Sequence, residues 1–507
     1  MILKKNCSRN KNVLICLLVL ICMIVIPPVT VRASSDVIEN NNSGIPDKKL
    51  YKAILKELGK KKNQKFTKQE AEKIKSLTVY SGRVKSLKGI KYLKGLQELN
   101  LEGAGLKNLK GIQGLTNLKK LNISHNYIKN LKPLKNLKNL KELDLSENNL
   151  KSLKGIENLK NLKILDLDRN ELASVKELKN LSKLKIVGLY FNNLKNLNGF
   201  GKQKKLEILD VSSNNLISIK GLNKLKNLEE LYINDNEITS LHGVEKLKKL
   251  TSLKADRNQL MGVSEVKGLS NLIDLSVREN KIRNLQGLET LKKLKFLDVS
   301  FNCLTDISSV WQLKKLVSLD VYNNLLTNID GVTALKNLES LMVSYNKITK
   351  LPDLKPLSKM YLFYFDFNML SESMEELKAK LLPSYFTPER NKDFEEQYSY
   401  QNLDYEIEFE EPAGAEQIYS GTKRISGRVH MPAEKIQLMI EERINDEDTN
   451  ETYFYADVAE DGSFVFDNLD LRRFGGRKCI MRINIAFKYI PDDDSYFCTA
   501  ARLYRIK

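Results

Sequence analysis

Histidine is nearly missing from this chain: three in 507 residues, at His125, His242 and His430. Far apart in sequence, they deny the chain the commonest general base and metal ligand. Cysteine is also scarce, six in all, and Cys7, Cys16 and Cys22 fall in the first 33 residues. Cys303, Cys479 and Cys498 remain, an odd and scattered set that builds no disulfide framework. No Cys–His spacing suits zinc. The acidic turn Asn445-Asp446-Glu447-Asp448 lacks calcium-loop spacing. A carboxylate group at Asp144, Asp166 and Asp168 reads as ordinary exposed acids rather than a cation site, and Cys303 has no histidine placed to activate it. Beyond the N-terminus no apolar run approaches the roughly 20 residues that span a bilayer. Together these shortages predict a protein that is not an enzyme and has no cofactor and no metal site.

Charge is abundant but uneven. The net charge is +20. Residues 1–33 carry five Lys and Arg and no acid, residues 34–370 carry 60 against 35, and residues 371–507 carry 18 against 28. A basic body followed by an acidic tail predicts two kinds of domain. Lys4, Lys5, Arg9 and Lys11, the apolar run Val13–Ile26 and the small-residue site before Ser34 predict an export signal over residues 1–33.

The dominant pattern is a 22-residue period kept without insertion through fourteen copies. Its marker is the Asn of L-x-x-L-x-L-x-x-N-x-L, at Asn126, Asn148, Asn170, Asn192, Asn214, Asn236, Asn258, Asn280, Asn302, Asn324, Asn346 and Asn368. Two earlier copies hold Gly82 and Ala104 in its place. This is the leucine-rich-repeat pattern. Two leucines straddling one residue, as in Leu143-Asp144-Leu145, predict a short strand with both leucines inward. The Asn side chain is predicted to bond backbone groups of adjacent repeats. A return segment of about a dozen residues, often opened by Gly, leaves room for 3₁₀ or irregular turns only. The predicted fold is an α/β leucine-rich-repeat solenoid over residues 76–370, with a parallel β-sheet on the concave face and a 3₁₀ or irregular convex side.

Flanking segments read differently. Residues 34–75 predict a polar spacer and an N-terminal helical cap: Asp47 caps a helix with Leu50, Ile54 and Leu58 on one face and Gly59 as its stop, and Thr67-Lys68-Gln69-Glu70 is a capping box. Residues 371–416 predict a closing helix at Glu372–Leu382, then an irregular acidic linker. Residues 417–507 predict a C-terminal β-sandwich of Ig-like type, with strands at Lys423–His430, Lys435–Glu442, Glu451–Val458, Ser463–Leu469, Lys478–Lys488 and Tyr496–Ile506. A hairpin of the last two puts Cys498 opposite about residue 487, some eight residues from Cys479, too far for a bridge.

The cap running from Ile45-Pro46-Asp47 through Leu58-Gly59 to Thr67-Lys68-Gln69-Glu70, the 22-residue frame and a strand-rich module after the repeats resemble internalins and related secreted proteins of Gram-positive bacteria. That resemblance implies a bacterial protein, secreted or at the cell surface, in adhesion or host-cell interaction through an extracellular protein ligand on the concave face. The chain shows no Leu-Pro-x-Thr-Gly wall-sorting signal, so release or non-covalent retention is expected. A monomer with no nucleic-acid partner is expected.

Counting back from the Asn column finds the side chains predicted to face that ligand. They are Tyr190, Phe191, Tyr232, Asp256, Arg257, Arg278, Asp298, Phe301, Asp320, Tyr322, Tyr345, Tyr364 and Phe367, with Phe296 beside them. Exposed aromatics on a rigid sheet are the material of interface hot spots. An alternative partner is an anionic polysaccharide or cell-wall polymer. It would bind a lysine ladder three and six residues after the Asn column: Lys85, Lys107, Lys129 and Lys151, with Lys88, Lys110, Lys132, Lys154 and Lys176. Unit charges about 4.8 Å apart repel by roughly 0.9 kcal/mol in water, which a polyanion would relieve.

Overall fold

The computed structural model describes residues 36–79, 82–399, 407–411, 424–429, 433–443, 449–459, 461, 463–467, 469, 471, 479–487, 497–498 and 504–505. The export signal, His430 and most of the tail loops lie outside them. The chain divides into two compact units, Met1–Glu171 and Leu172–Lys507, so the division falls within the repeats.

Fourteen three-residue strands, from Ser76–Thr78 to Leu362–Tyr364, form one parallel sheet in chain order. Within each unit a strand pairs in register with the one 22 residues on: Leu231 lies beside Leu253, and Leu253 beside Leu275. All three are fully buried, as are nearly all the frame leucines. Each such leucine contributes about 1.5–3 kcal/mol on burial. The return segments are 3₁₀ turns such as Ile112–Gly114, Leu222–Lys224 and Ser308–Gln312. Among the described residues no helix is long and apolar enough to cross a membrane.

The buried asparagines bind repeat to repeat. Asn236 is fully buried; its Oδ1 accepts from Leu216 N at 2.9 Å. Its Nδ2 donates to Val211 O (3.1 Å), Ile233 O (3.2 Å) and Asn234 O (3.0 Å). One amide thus serves a donor and three acceptors that have no water to turn to.

A second column escapes a reading of leucines alone. The residue just before each Asn, from His125 to Phe367, is left-handed, with φ between +51° and +55° at all twelve positions. That conformation costs a non-glycine residue free energy. It is offset by hydrogen bonds that carry the ladder beyond the strand, such as Asp235 N to Asp256 O at 2.9 Å and Phe301 N to Tyr322 O at 2.8 Å. The sequence does hold a signal: no Val, Ile or Thr occurs in this column, the β-branched types that tolerate positive φ least.

In the N-terminal unit, helix α1 (Lys48–Glu57) buries Leu50, Tyr51, Ile54 and Leu55. Leu58 follows as its C-cap rather than on the buried face. Asp47 accepts from Lys49 N and Leu50 N at 3.0 Å each, and its second oxygen accepts from Lys85 N at 2.6 Å, joining the helix start to the first repeat. Helix α2 (Lys68–Lys73) carries the Thr67–Glu70 capping box. Between the spacer and α2, the strands Val37–Ile38 and Phe66–Thr67 pair antiparallel, where the sequence predicted only a polar spacer.

Past the last strand the structure departs from prediction. Helix α3 is short, Met374–Lys378, capped by Ser373 and Glu376. Helix α4 (Pro388–Ser399) stands where an irregular linker was predicted. Pro388 opens it, with Thr387 Oγ1 accepting from Arg390 N at 3.3 Å. Its amphipathic period is weak, and tertiary contact supplies what the pattern lacks. Phe394 is buried, 4.8 Å from the Phe365 ring, and Gln397 Oε1 accepts from Phe365 N at 2.9 Å. Helix α4 thereby satisfies a backbone donor beside the sheet's final edge, which would otherwise be open to pairing.

Further on, the strands are antiparallel. Ile425–Val429 pairs with Ile407–Glu411, unforeseen from the sequence, and with Ser463–Phe466. Ala433–Arg443 lies between Thr449–Asp457 and Cys479–Phe487. Of the predicted last strand, the described residues are Phe497–Cys498 and Tyr504–Arg505, both in strands. Register puts Cys498 opposite Ile485, six positions from Cys479 rather than the predicted eight.

Candidate functional site

The first repeats and the later ones present different faces. In the N-terminal unit a shallow groove of ≈ 450 Å³ lies on the sheet, lined among others by Glu98, Asn100, Lys120, Glu142, Asp144 and Asp166. Lys120 is paired with Glu142 at 3.0 Å. At its rim His125 Nδ1 lies 2.7 Å from Glu147. This face is polar and mostly acidic.

The C-terminal unit gathers the aromatics. Tyr190 and Phe191 lie 6.0 Å apart, both half-buried. Tyr232 donates to Glu230 at 2.6 Å, and burial together with that carboxylate pushes its hydroxyl up to about 12. Farther along, a continuous ladder forms on the left-handed column and its neighbour. The Arg278 guanidinium sits 4.7 Å over the Phe301 ring. Phe301 to Tyr322 is 5.0 Å, Tyr322 to Tyr345 is 4.9 Å, and Tyr345 stacks on Phe367 at 4.2 Å.

This ladder corrects the exposure predicted for two residues. Tyr345 is 3% exposed and Phe367 0%. Their rings fill the rim between repeats and offer no open face to a ligand. The accessible apolar surface belongs instead to Phe296 (45% exposed) and Tyr364 (41%), with Phe301 and Tyr322 half-buried between.

The charged residues are tightly organised. Arg257 Nε lies 2.8 Å from Glu279 and its guanidinium 3.8 Å from Asp235; Arg278 Nε also reaches Glu279, at 3.0 Å. Lys254 pairs with Asp274 at 2.6 Å. Asp256 accepts from Arg278 N at 2.9 Å and from the Ser276 hydroxyl, and burial pushes its carboxyl up to about 6. Asp298 accepts from Ser300 N at 2.9 Å, and Asp320 from Tyr322 N at 2.9 Å. Burial, then the charge of Asp298, raises Asp320 to about 7. Among the described residues neither Asp298 nor Asp320 has an ion-pair partner, and no three His, Cys, Asp or Glu side chains are placed to hold a metal.

The profile "Leucine rich repeat" matches residues 116–172, "Leucine Rich repeats (2 copies)" residues 314–356, and "Endo-beta-N-acetylglucosaminidase EndoS LRR domain" residues 228–324. No curated protein matches in sequence. Among solved structures, an internalin (InlF) of Listeria monocytogenes is 27% identical at a TM-score of 0.56, covering 64% of this chain and 91% of its own. The chain is a leucine-rich-repeat protein similar to internalins. A leucine-rich-repeat protein of Leptospira interrogans is 28% identical at a TM-score of 0.56, covering 67% of this chain and 97% of its own. A plant peptide hormone receptor, RGFR1 in complex with RGF2, shares the fold at 24% identity and a TM-score of 0.50, covering 60% and 57%.

Proposed function

We propose that this chain is an exported scaffold that holds a protein ligand on the sheet face of its later repeats, in adhesion or host-cell interaction. The observation that supports this reading is the open aromatic surface of Phe296 and Tyr364 on the strands that carry Asp298 and its neighbours, with Asp298 and Asp320 outside any ion pair among the described residues, set on a hydrogen-bonded sheet. A rigid sheet holds these groups in place at little conformational cost on binding. Likeness to an internalin fits the same class of role. In this reading residues 1–33 direct export, the helices before residue 76 cap the repeats, and residues 417–507 form a β-sandwich spacer.

The test is capture of host-cell surface proteins by the full chain beside its Phe296→Ala/Tyr364→Ala variant. One or more proteins should be held by the wild type and lost by the variant, while both stay folded by circular dichroism. Equal capture by the two would remove this face from the function.

A further inference from the structure

The lysine ladder of the N-terminal unit was legible as spacing; the structure shows what surrounds it. Residues 82–171 carry 19 Lys and Arg against nine Asp and Glu. The two signs are segregated. Seven of the nine acids stand in the sheet-side columns, around the polar groove; Glu157 and Glu171 do not. The flank beyond the Asn column is left to lysine. Lys85, Lys107, Lys129 and Lys151 are all exposed, as is the neighbouring column from Lys88 to Lys154. Within the first set Lys151 is paired, with Glu171 at 3.3 Å; Lys85, Lys107 and Lys129 enter no ion pair among the described residues.

The backbone fixes the spacing of this column. Tyr127 N donates to Leu106 O at 2.8 Å, Asn149 N to Ile128 O at 3.1 Å, and Glu171 N to Leu150 O at 3.0 Å. Leu106, Ile128 and Leu150 immediately precede Lys107, Lys129 and Lys151. The lysines therefore leave a backbone hydrogen-bonded from repeat to repeat, at the spacing of about 4.8 Å that such pairing sets. Their like charges repel along the column, and apart from Glu171 beside Lys151 the nearby acids stand mostly on the sheet side.

We propose that this flank binds a sulfated polysaccharide chain, on a face separate from the aromatic one. A spacing of about 4.8 Å per charge is wider than the roughly 3.4 Å per charge of a single nucleic-acid strand and suits a polymer with about one sulfate per sugar ring. The stacking surfaces that single strands use are aromatic, and both lysine columns are aliphatic stems ending in point charges. Binding releases the polymer's counterions and relieves the lysine repulsion together.

The experiment uses the full chain and heparin as the probe, with salt as the variable. If four lysines are neutralised, affinity falls roughly 50- to 150-fold between about 50 and 200 mM salt. The variant Lys85→Gln/Lys107→Gln/Lys129→Gln/Lys151→Gln should lose at least tenfold in affinity at low salt and most of the salt slope. Arginine at the same four positions should restore both. The control Lys292→Gln/Lys314→Gln/Lys336→Gln/Lys359→Gln makes the same charge change on exposed lysines of the C-terminal unit and should bind as wild type. Phe296→Ala should also leave heparin binding unchanged, which separates this site from the protein-binding face. Equal loss in the control, binding indifferent to salt, or capture of polyphosphate in place of heparin would overturn the proposal.

Discussion

Asp298 and Asp320 lie side by side as register partners on adjacent strands, and Asp320 is held up to about 7 by burial and by the charge of its neighbour. The charge of Asp298 opposes ionisation of Asp320. Among the described residues neither forms an ion pair, while Lys254, Arg257 and Arg278 nearby pair with other acids.

The pair makes stability depend on pH in a stated direction. An unfolded aspartate ionises near pH 3.9, and Asp320 in the folded chain near 7. Its contribution is present in full below the unfolded value and is lost as pH rises through 7. Asp320→Asn should match the wild type at pH 4 and exceed it by about 4 kcal/mol at pH 8. Denaturant titrations at the two pH values check this; an equal difference at both would show that the carboxylates are not coupled to folding.

Asn236→Ala removes one acceptor and two donors from a fully buried site. Leu216 N would lose its partner, while the carbonyls of Val211 and Ile233 keep Asn214 Nδ2 (3.0 Å) and Asn258 Nδ2 (2.9 Å). A loss of about 1–3 kcal/mol is expected in equilibrium unfolding. A loss under 1 kcal/mol would mean that water enters and the amide is replaceable.

The aromatic ladder predicts a split between stability and binding. Phe367→Ala empties a buried ring site and should cost about 3–5 kcal/mol. Phe296→Ala, at an exposed ring, should change stability by less than about 0.5 kcal/mol and yet weaken ligand capture about tenfold or more. The reverse ranking in thermal melts would contradict the burial assigned to these two residues.

Helix α4 should protect the end of the sheet. Phe394→Ala removes a buried ring from Phe365 and should loosen the helix, exposing the Phe365 amide held by Gln397. Amide exchange at Phe365 is expected to quicken at least tenfold, with the Asp274–Ser276 strand unchanged. Uniform exchange across both strands would instead indicate global destabilisation.

Much of the fold is legible because the repeat is strict. With every insertion excluded, one Asn column fixes the phase of fourteen strands, and period alone tells inward leucines from outward side chains. Asp47 and the Thr67–Glu70 box likewise state their helix starts locally. Helix α4 and the strand Ile407–Glu411 were missed because their stability comes from Phe365 and from the strand Ile425–Val429, residues distant in sequence.

The candidate face was only half legible. Counting columns finds which side chains leave the sheet on its open side, and so it named Tyr345 and Phe367 with Tyr364. It cannot say which of them a neighbouring repeat covers, because that depends on ring size one and two repeats away and on the left-handed turn that throws each side chain along the rim. Period and composition determine a stacked sheet, its buried leucines and asparagines, and its row of lysines. Tertiary packing decided which aromatics stay in water and which aspartate is buried beside another, since burial and electrostatics are set by neighbours that local sequence does not contain.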